Sequence, residues 1–324
     1  MTYKISNTQI DCYNQCSELY RLRYREGWKT KVQPSALWFG SALDEAFEMF
    51  LLTKKEELTE SELDRMLTTT AYDTYVRKMK ETWDNHWEYL DFFASDFDPL
   101  VFKTEDLKTL KTKFPHIPDF LQFFEDNKKN RDLKDDKEAY NYLVWLSLFR
   151  KGEMLLDAYE KEILPNIHKV YSIQREVELL NESGDILGGK IDYEASFTDD
   201  PDIIYVCDNK TSSQPYPEDS VINSQQLSIY TEAVGTNKAA YTVVEKKIRK
   251  TEPKTRTQII KSTIPEETYE KVFTNIENTL TMIHNDVFEK KALSKECWFF
   301  GKPCSMYGLC WNGDVSMLYK KEKV

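Results

Sequence analysis

Two short stretches carry the residue types that metal-assisted chemistry needs. GGKIDYE places Asp192 just after the Gly188–Gly189 pair, and CDNK places Asp208 two residues before Lys210. Side chains alternate along a β-strand, so Asp208 and Lys210 share one face. A hairpin joining the two stretches would set Asp192 beside Asp208. Two carboxylates that close repel unless a cation lies between them, and Mg2+ or Mn2+ prefers oxygen ligands of this kind. A lysine beside such an ion can position a water, assist its deprotonation or stabilise a pentavalent phosphate transition state. The plainer alternative is two turn aspartates at the ends of an ordinary hairpin.

The elements around these residues must hold them. VYSIQREVELL, ILGGKIDYEASF and DIIYVCDNK read as three successive strands, with NESGD and TDDPD as turns. SVINSQQLSIYTEAV has helical periodicity, and AAYTVVEKK returns to strand. That order predicts an α/β core with helices packed on a sheet. A helix is expected from about Ser6 to Tyr24 with Ser6 as N-cap, and a second in SALDEAFEMFLL. Residues 60 to 165 read as mostly helical, with no spacing that suggests catalysis, and the chain after Pro265 turns helical again. The expected organisation is an N-terminal segment (1–35), a mostly helical region (36–165), a core (166–262) and a helical C-terminal segment (263–324).

The chain has 324 residues and a net charge of −11, with 40% hydrophobic and 31% charged residues. No apolar run approaches the ~18 residues of a membrane span, and MTYKISNTQIDCYNQC lacks the apolar region of a secretory signal. An intracellular, cytoplasmic protein is expected. The acidic balance argues against a protein that coats nucleic acid wholesale, but the charge is segregated. VVEKKIRKTEPKTRTQIIK holds seven basic residues against two glutamates, and RLRYREGWKTK five against Glu26. Both are expected to flank a channel for a phosphate backbone; solvated surface is the alternative. Tyr20, Tyr24 and Trp28 would either stack on unpaired bases or pack internally.

Six cysteines in a cytoplasmic chain do not suggest disulfides. Cys297, Cys304 and Cys310 crowd the C-terminal end, with six and five residues between them. Three thiolates lack one ligand for tetrahedral Zn2+ or a cubane cluster, and Cys16 is available as the fourth. Cys12 lies one helical turn from Cys16 and is a substitute; Cys207 reads as core. The alternative is six unligated thiols.

The pairing of Gly189-x-x-Asp192 with Asp208-x-Lys210 resembles the PD-(D/E)XK nuclease superfamily. SQQLSIYTEA, with Gln226 and Tyr230 one turn apart, and the terminal cysteines narrow the resemblance to its RecB-like branch with an iron–sulfur cluster, as in CRISPR adaptation nucleases, AddB-type nuclease domains and phage exonucleases. It covers the first ~50 residues and 170–315. It implies a restriction-endonuclease-like mixed sheet flanked by helices, a large helical insertion, and chain ends joined at a [4Fe-4S] cluster held by Cys16, Cys297, Cys304 and Cys310, with structural Zn2+ as the rival. It also implies Mg2+ or Mn2+ held by Asp192, Asp208, Asp44 and the Asn209 carbonyl. Lys210 would activate or position water, and Gln226 and Tyr230 would order the site. Two departures stand out: FGSALDEA has Asp44 where the branch carries histidine, and the first C-terminal cysteine gap is six residues where two is usual. The implied activity is a DNA exonuclease on single strands or DNA ends, in replication, recombination or repair, with a phage role suggested. A helicase or recombination partner, or a module that binds without cleaving, is the alternative.

Overall fold

The computed structural model describes residues 3–128, 136–181, 183–247, 255–291, 297–299 and 302–320. Six strands form one mixed sheet: β1 (Lys4–Ser6), β2 (Ile167–Leu180), β3 (Ile186–Phe197), β4 (Asp200–Ser212), β5 (Lys238–Glu245) and β6 (Thr257–Thr263). β2, β3 and β4 form an antiparallel meander, as the turn residues predict. β4 and β5 run parallel, so the chain between them must cross over. β6 returns antiparallel to β5.

The helices that frame the sheet are α1 (Asn7–Gln15), α2 (Ser35–Leu52), α3 (Ala71–His86), α4 (Lys137–Ala158), α5 (Gln225–Val234) and α6 (Glu266–His284). One apolar cluster joins α2, α3 and α4 to Tyr193, Phe197, Tyr205 and Cys207. The other joins α1, α5 and α6 to Leu187, Val206, Tyr241 and Val243. Residues 205, 206 and 207 thus alternate between the two cores, as a strand buried on both faces must. The helical stretch from α2 to α4 shares a continuous core with the sheet. Among the described residues no helix is long and apolar enough to cross a membrane.

Three local readings change. The expected helix from Ser6 to Tyr24 starts with a capping box at Ser6 but stops at Gln15, because Cys16 is extended. It resumes at Ser17–Tyr20 and widens through Arg21–Arg25. β1 and β6 were not anticipated; residues 257–263, read only as part of a basic stretch, form the edge strand β6. Much of the rest of that stretch, 248–254, lies outside the described residues. Tyr20 is buried against Tyr13, Tyr24 and Phe288, so it packs internally. Arg21 is tied to Glu18 and Glu26, and Arg25 to Asp286.

The two ends of the chain do meet. Trp28–Thr30 pairs antiparallel with Leu318–Lys320. Tyr13 Oη donates to the Val287 carbonyl (2.5 Å), and Arg23 to Ser305 Oγ (2.7 Å).

Candidate active site

The site forms where β3 loses its neighbours. One edge of β3 pairs with β2 throughout its length. The other edge pairs with β1 at Ile186–Gly188 and with β4 from Tyr193 onward, leaving a gap at 189–192. β4 beyond Cys207 no longer pairs with β3 and continues along β5. Asp192 stands in this fork, and its Oδ2 accepts the Asn209 N–H (2.9 Å) that β3 leaves free. β3 also rotates here: Ile191 packs into one core and Tyr193 into the other, although residues two apart in a strand normally share a face. Opposite Asp192, between the pairs Ile173–Tyr193 and Arg175–Ile191, Gln174 takes φ +54°. That left-handed conformation costs a non-glycine residue about 1–3 kcal/mol.

Alternation on β4 sends Asp208 and Lys210 to the α5 face and Asn209 to the other. The Asn209 side chain accepts from Thr242 Oγ1 (2.6 Å) and Tyr159 Oη (3.2 Å), so only its backbone remains near Asp192. Asp208 is 2% exposed. Its Oδ1 accepts from Gln226 Nε2 (3.1 Å), while its buried Oδ2 meets only the Lys210 ammonium, as an ion pair. Lys210 Nζ also donates to Gln226 Oε1 (3.3 Å). Gln226 therefore holds both members of the pair, and its Nε2 further donates to Tyr230 Oη (3.3 Å).

Helix α5 is fixed at both ends. Ser224 caps it by accepting the Leu227 N–H (3.1 Å), and Gly235 closes it with φ +74°. Gln226 and Tyr230 then lie one turn apart on the face toward the sheet. Tyr230 Oη accepts the Lys190 N–H (3.4 Å). Gly189 makes that approach possible: a Cβ there would stand 2.2 Å from the Tyr230 ring. Tyr241, which no sequence motif marked, is in register with Asp208 on β5. Its ring lies under Lys210 Nζ (5.5 Å to the centroid), and its Oη donates to Ser224 Oγ (2.6 Å). Its place in the strand AAYTVVEKK was the signal available.

Asp44, on α2, is solvent-exposed and lies near enough to feel the charges of Asp208 and Lys210. The surrounding walls, then the Asp208 charge, push its carboxyl up to about 6, against the pull of Lys210. Asp192 is raised by burial first, then by Asp208 and Asp44. Burial likewise raises Asp208, opposed by Lys210 and Gln226. For Lys210 burial pulls downward, yet the Asp208 charge and hydrogen bond prevail and hold it above its ordinary value. The three aspartates, Lys210, Gln226 and Tyr230 thus lie within reach of one another's charges or hydrogen bonds.

Among the described residues no group of three or more His, Cys, Asp or Glu is arranged to hold a metal ion. The donor chemistry nonetheless suits a hard divalent cation. Three carboxylates raise one another's proton affinity there, with the Lys210 ammonium as the one nearby cation. Cys16, Cys297, Cys304 and Cys310 line one small cavity, whereas Cys12 does not. Burial pushes the Cys12 thiol up to about 11, and the Cys304 and Cys310 thiols upward. Cys207 is fully buried, its thiol donating to the Tyr205 carbonyl (3.4 Å).

None of the curated proteins matches this chain. Among solved structures, the crystal structure of SSO0001 is similar at 12% identity, over 63% of this chain and 84% of that one, with a TM-score of 0.27, too low to bear on fold or function. The sequence model of the PD-(D/E)XK nuclease superfamily matches residues 4–310, which include every residue of the cleft. The chain belongs to the PD-(D/E)XK nuclease superfamily, whose members are in general metal-dependent nucleases.

Proposed function

We propose that this protein is a RecB-like deoxyribonuclease, an exonuclease that hydrolyses phosphodiester bonds from single strands or DNA ends at the β3–β4 fork. The observation that carries the reading is the buried Asp208 carboxylate, whose Oδ2 meets no partner but the Lys210 ammonium and whose Oδ1 accepts from Gln226, with Asp192 close by. Asp192, Asp208 and Asp44 would hold Mg2+ or Mn2+, with the Asn209 carbonyl as a further oxygen. A cation there supplies Lewis acidity toward the phosphate and acidifies a water. Lys210 is held protonated by Asp208; with the carboxylate charge neutralised, its burial would favour loss of the proton. It would then position the attacking water or steady the charge on phosphate. Gln226 keeps Asp208 and Lys210 in register, and Tyr230 braces Gln226 against β3.

Linear and circular single-stranded DNA, each incubated with the protein and Mg2+ or Mn2+, separate the modes of attack. An exonuclease degrades the linear strand and spares the circle. Cutting of the circle would make it an endonuclease, and cutting of neither would favour a module that binds without cleaving.

The shared cavity of Cys16, Cys297, Cys304 and Cys310 supports a thiolate site that fastens the two chain ends, with [4Fe-4S] the expected occupant and Zn2+ the rival. As placed, the thiols do not converge tightly enough to hold a metal. Iron, sulfide and zinc assays on anaerobically purified protein decide among cluster, zinc and free thiols.

A further inference from the structure

A second cleft, of about 470 Å³, opens beyond the C-terminal ends of β4 and β5, and none of the active-site residues named above lines it. Its apolar walls are Phe39, Phe93 and Leu148; its polar lining includes Lys151, Lys246, Ser95, Ser213 and Gln214. Lys151 lies in α4, in the helical stretch where the sequence shows no catalytic spacing, and is 5% exposed. Its ammonium donates to the Asp96 carbonyl (3.2 Å) and forms no ion pair among the described residues. Lys246 is anchored at its backbone N–H to the Ser212 carbonyl (2.6 Å), and its half-buried side chain is likewise without an ion pair among the described residues.

Two carboxylates share the lining; each accepts capping hydrogen bonds on one oxygen, and the charge of each still reaches Lys151. Asp96 accepts from Ser35 Oγ (2.6 Å) and the Phe93 N–H (2.7 Å), and Asp98 from the Leu100 N–H (3.0 Å). Burial disfavours the charge on both lysines. The Asp98 and Asp96 charges favour a charged Lys151 and Asp96 a charged Lys246, while Lys246 opposes Lys151 to a lesser degree, so an anion between them would add to the stabilisation of both ammonium groups. Hydroxyl and amide groups of Ser95, Ser213 and Gln214 add donors. Ser213 follows Lys210 by three residues, which in extended chain is roughly 10 Å. Phe39 of α2 lies five residues before Asp44, so one helix lines both sites.

We propose that this cleft holds a phosphate group of the DNA substrate between Lys151 and Lys246, a short distance along the strand from the bond to be cut. The assignment rests on the nuclease reading for its substrate, not for its geometry. The phosphate is either a terminal monoester or a diester of the backbone, and either fits two ammonium groups. Lys151 and Lys246 act as positioning residues that set which bond reaches Asp208.

The test is binding of a short 3′-labelled single-stranded oligonucleotide, with a 5′-phosphate or a 5′-hydroxyl, in EDTA and low salt. Wild type is compared with Lys151→Met and Lys246→Met, and thermal melting verifies folding. Each folded variant is expected to bind about fivefold more weakly with a salt slope shallower by about one. Loss confined to the 5′-phosphorylated strand identifies a terminal phosphate, and equal loss on both a backbone phosphate. Should Lys151→Met fail to fold, Lys246→Met decides. Wild-type affinity and salt slope in the folded variants overturn the proposal, as does a wild type that binds neither strand. Lysine-dependent binding without cleavage in Mg2+ would sink the nuclease reading and leave the cleft standing.

Discussion

Asp208 gives up nearly all its hydration and in exchange meets one amide and one ammonium. With Asp192 and Asp44 near it, the folded state holds carboxylic protons more tightly than the unfolded chain, whose aspartates titrate near ~3.9. Stability contributed by those protons is complete below that value and is lost as pH rises through the raised folded values, which for Asp44 is about 6. A cation competes with the same protons. The melting temperature without divalent metal should therefore fall between pH 5 and pH 8, and Mg2+ or Mn2+ should raise it more at pH 8 than at pH 5. Equal metal-induced shifts at both values would contradict the assignment of the carboxylates as ligands. Gln226 touches Asp208, Lys210 and Tyr230 at once, so Gln226→Ala should lower activity about 10–100-fold, as loss of a ligand's supporting partner does. Steady-state cleavage rates check this.

At the scale of elements, the fork between β1, β3 and β4 is what delivers Asp192, and two backbone features maintain it. Gly189 lets Tyr230 lie against β3; Gly189→Ala must displace the ring and should cost about 1–3 kcal/mol by overpacking. Denaturant unfolding measures that cost, and the same variant should cleave more slowly because Gln226 loses its brace. Gln174 stores strain at φ +54°, so Gln174→Gly should be neutral or stabilising in the same experiment, whereas Gln174→Val should destabilise. The meander, the crossover helix and the pairing of Asp192 with Asp208-x-Lys210 were legible in the sequence because turn residues and period-two alternation are local signals. The break at Cys16 was not, since Ile10, Tyr13, Leu19 and Tyr20 keep nearly helical spacing on both sides of one extended residue. Nor was the role of Tyr241, which depends on strand register, or the contact of Gly189 with a ring 41 residues away. β6 was hidden because it ends a basic stretch that reads as surface charge, although Lys261 is the one basic residue within the strand.

For the molecule as a whole, the helical stretch and the sheet share one core, so Lys151 in the middle of α4 reaches the edge of the nuclease fold. The chain ends are joined by strand pairing and hydrogen bonds independent of any metal. Deleting residues 313–324 removes the partner of Trp28–Thr30 and should expose residues 21–31 to limited proteolysis; unchanged protection would show that other contacts hold that segment. The central claim is that Asp208 and Lys210 make this fold a metal-dependent phosphodiesterase. It is tested most directly by digesting end-labelled DNA with wild type, Lys210→Ala and Asp208→Asn in Mg2+ or Mn2+. Cleavage by wild type that falls at least ~100-fold in both variants is the predicted result; cleavage that persists in either variant would contradict it.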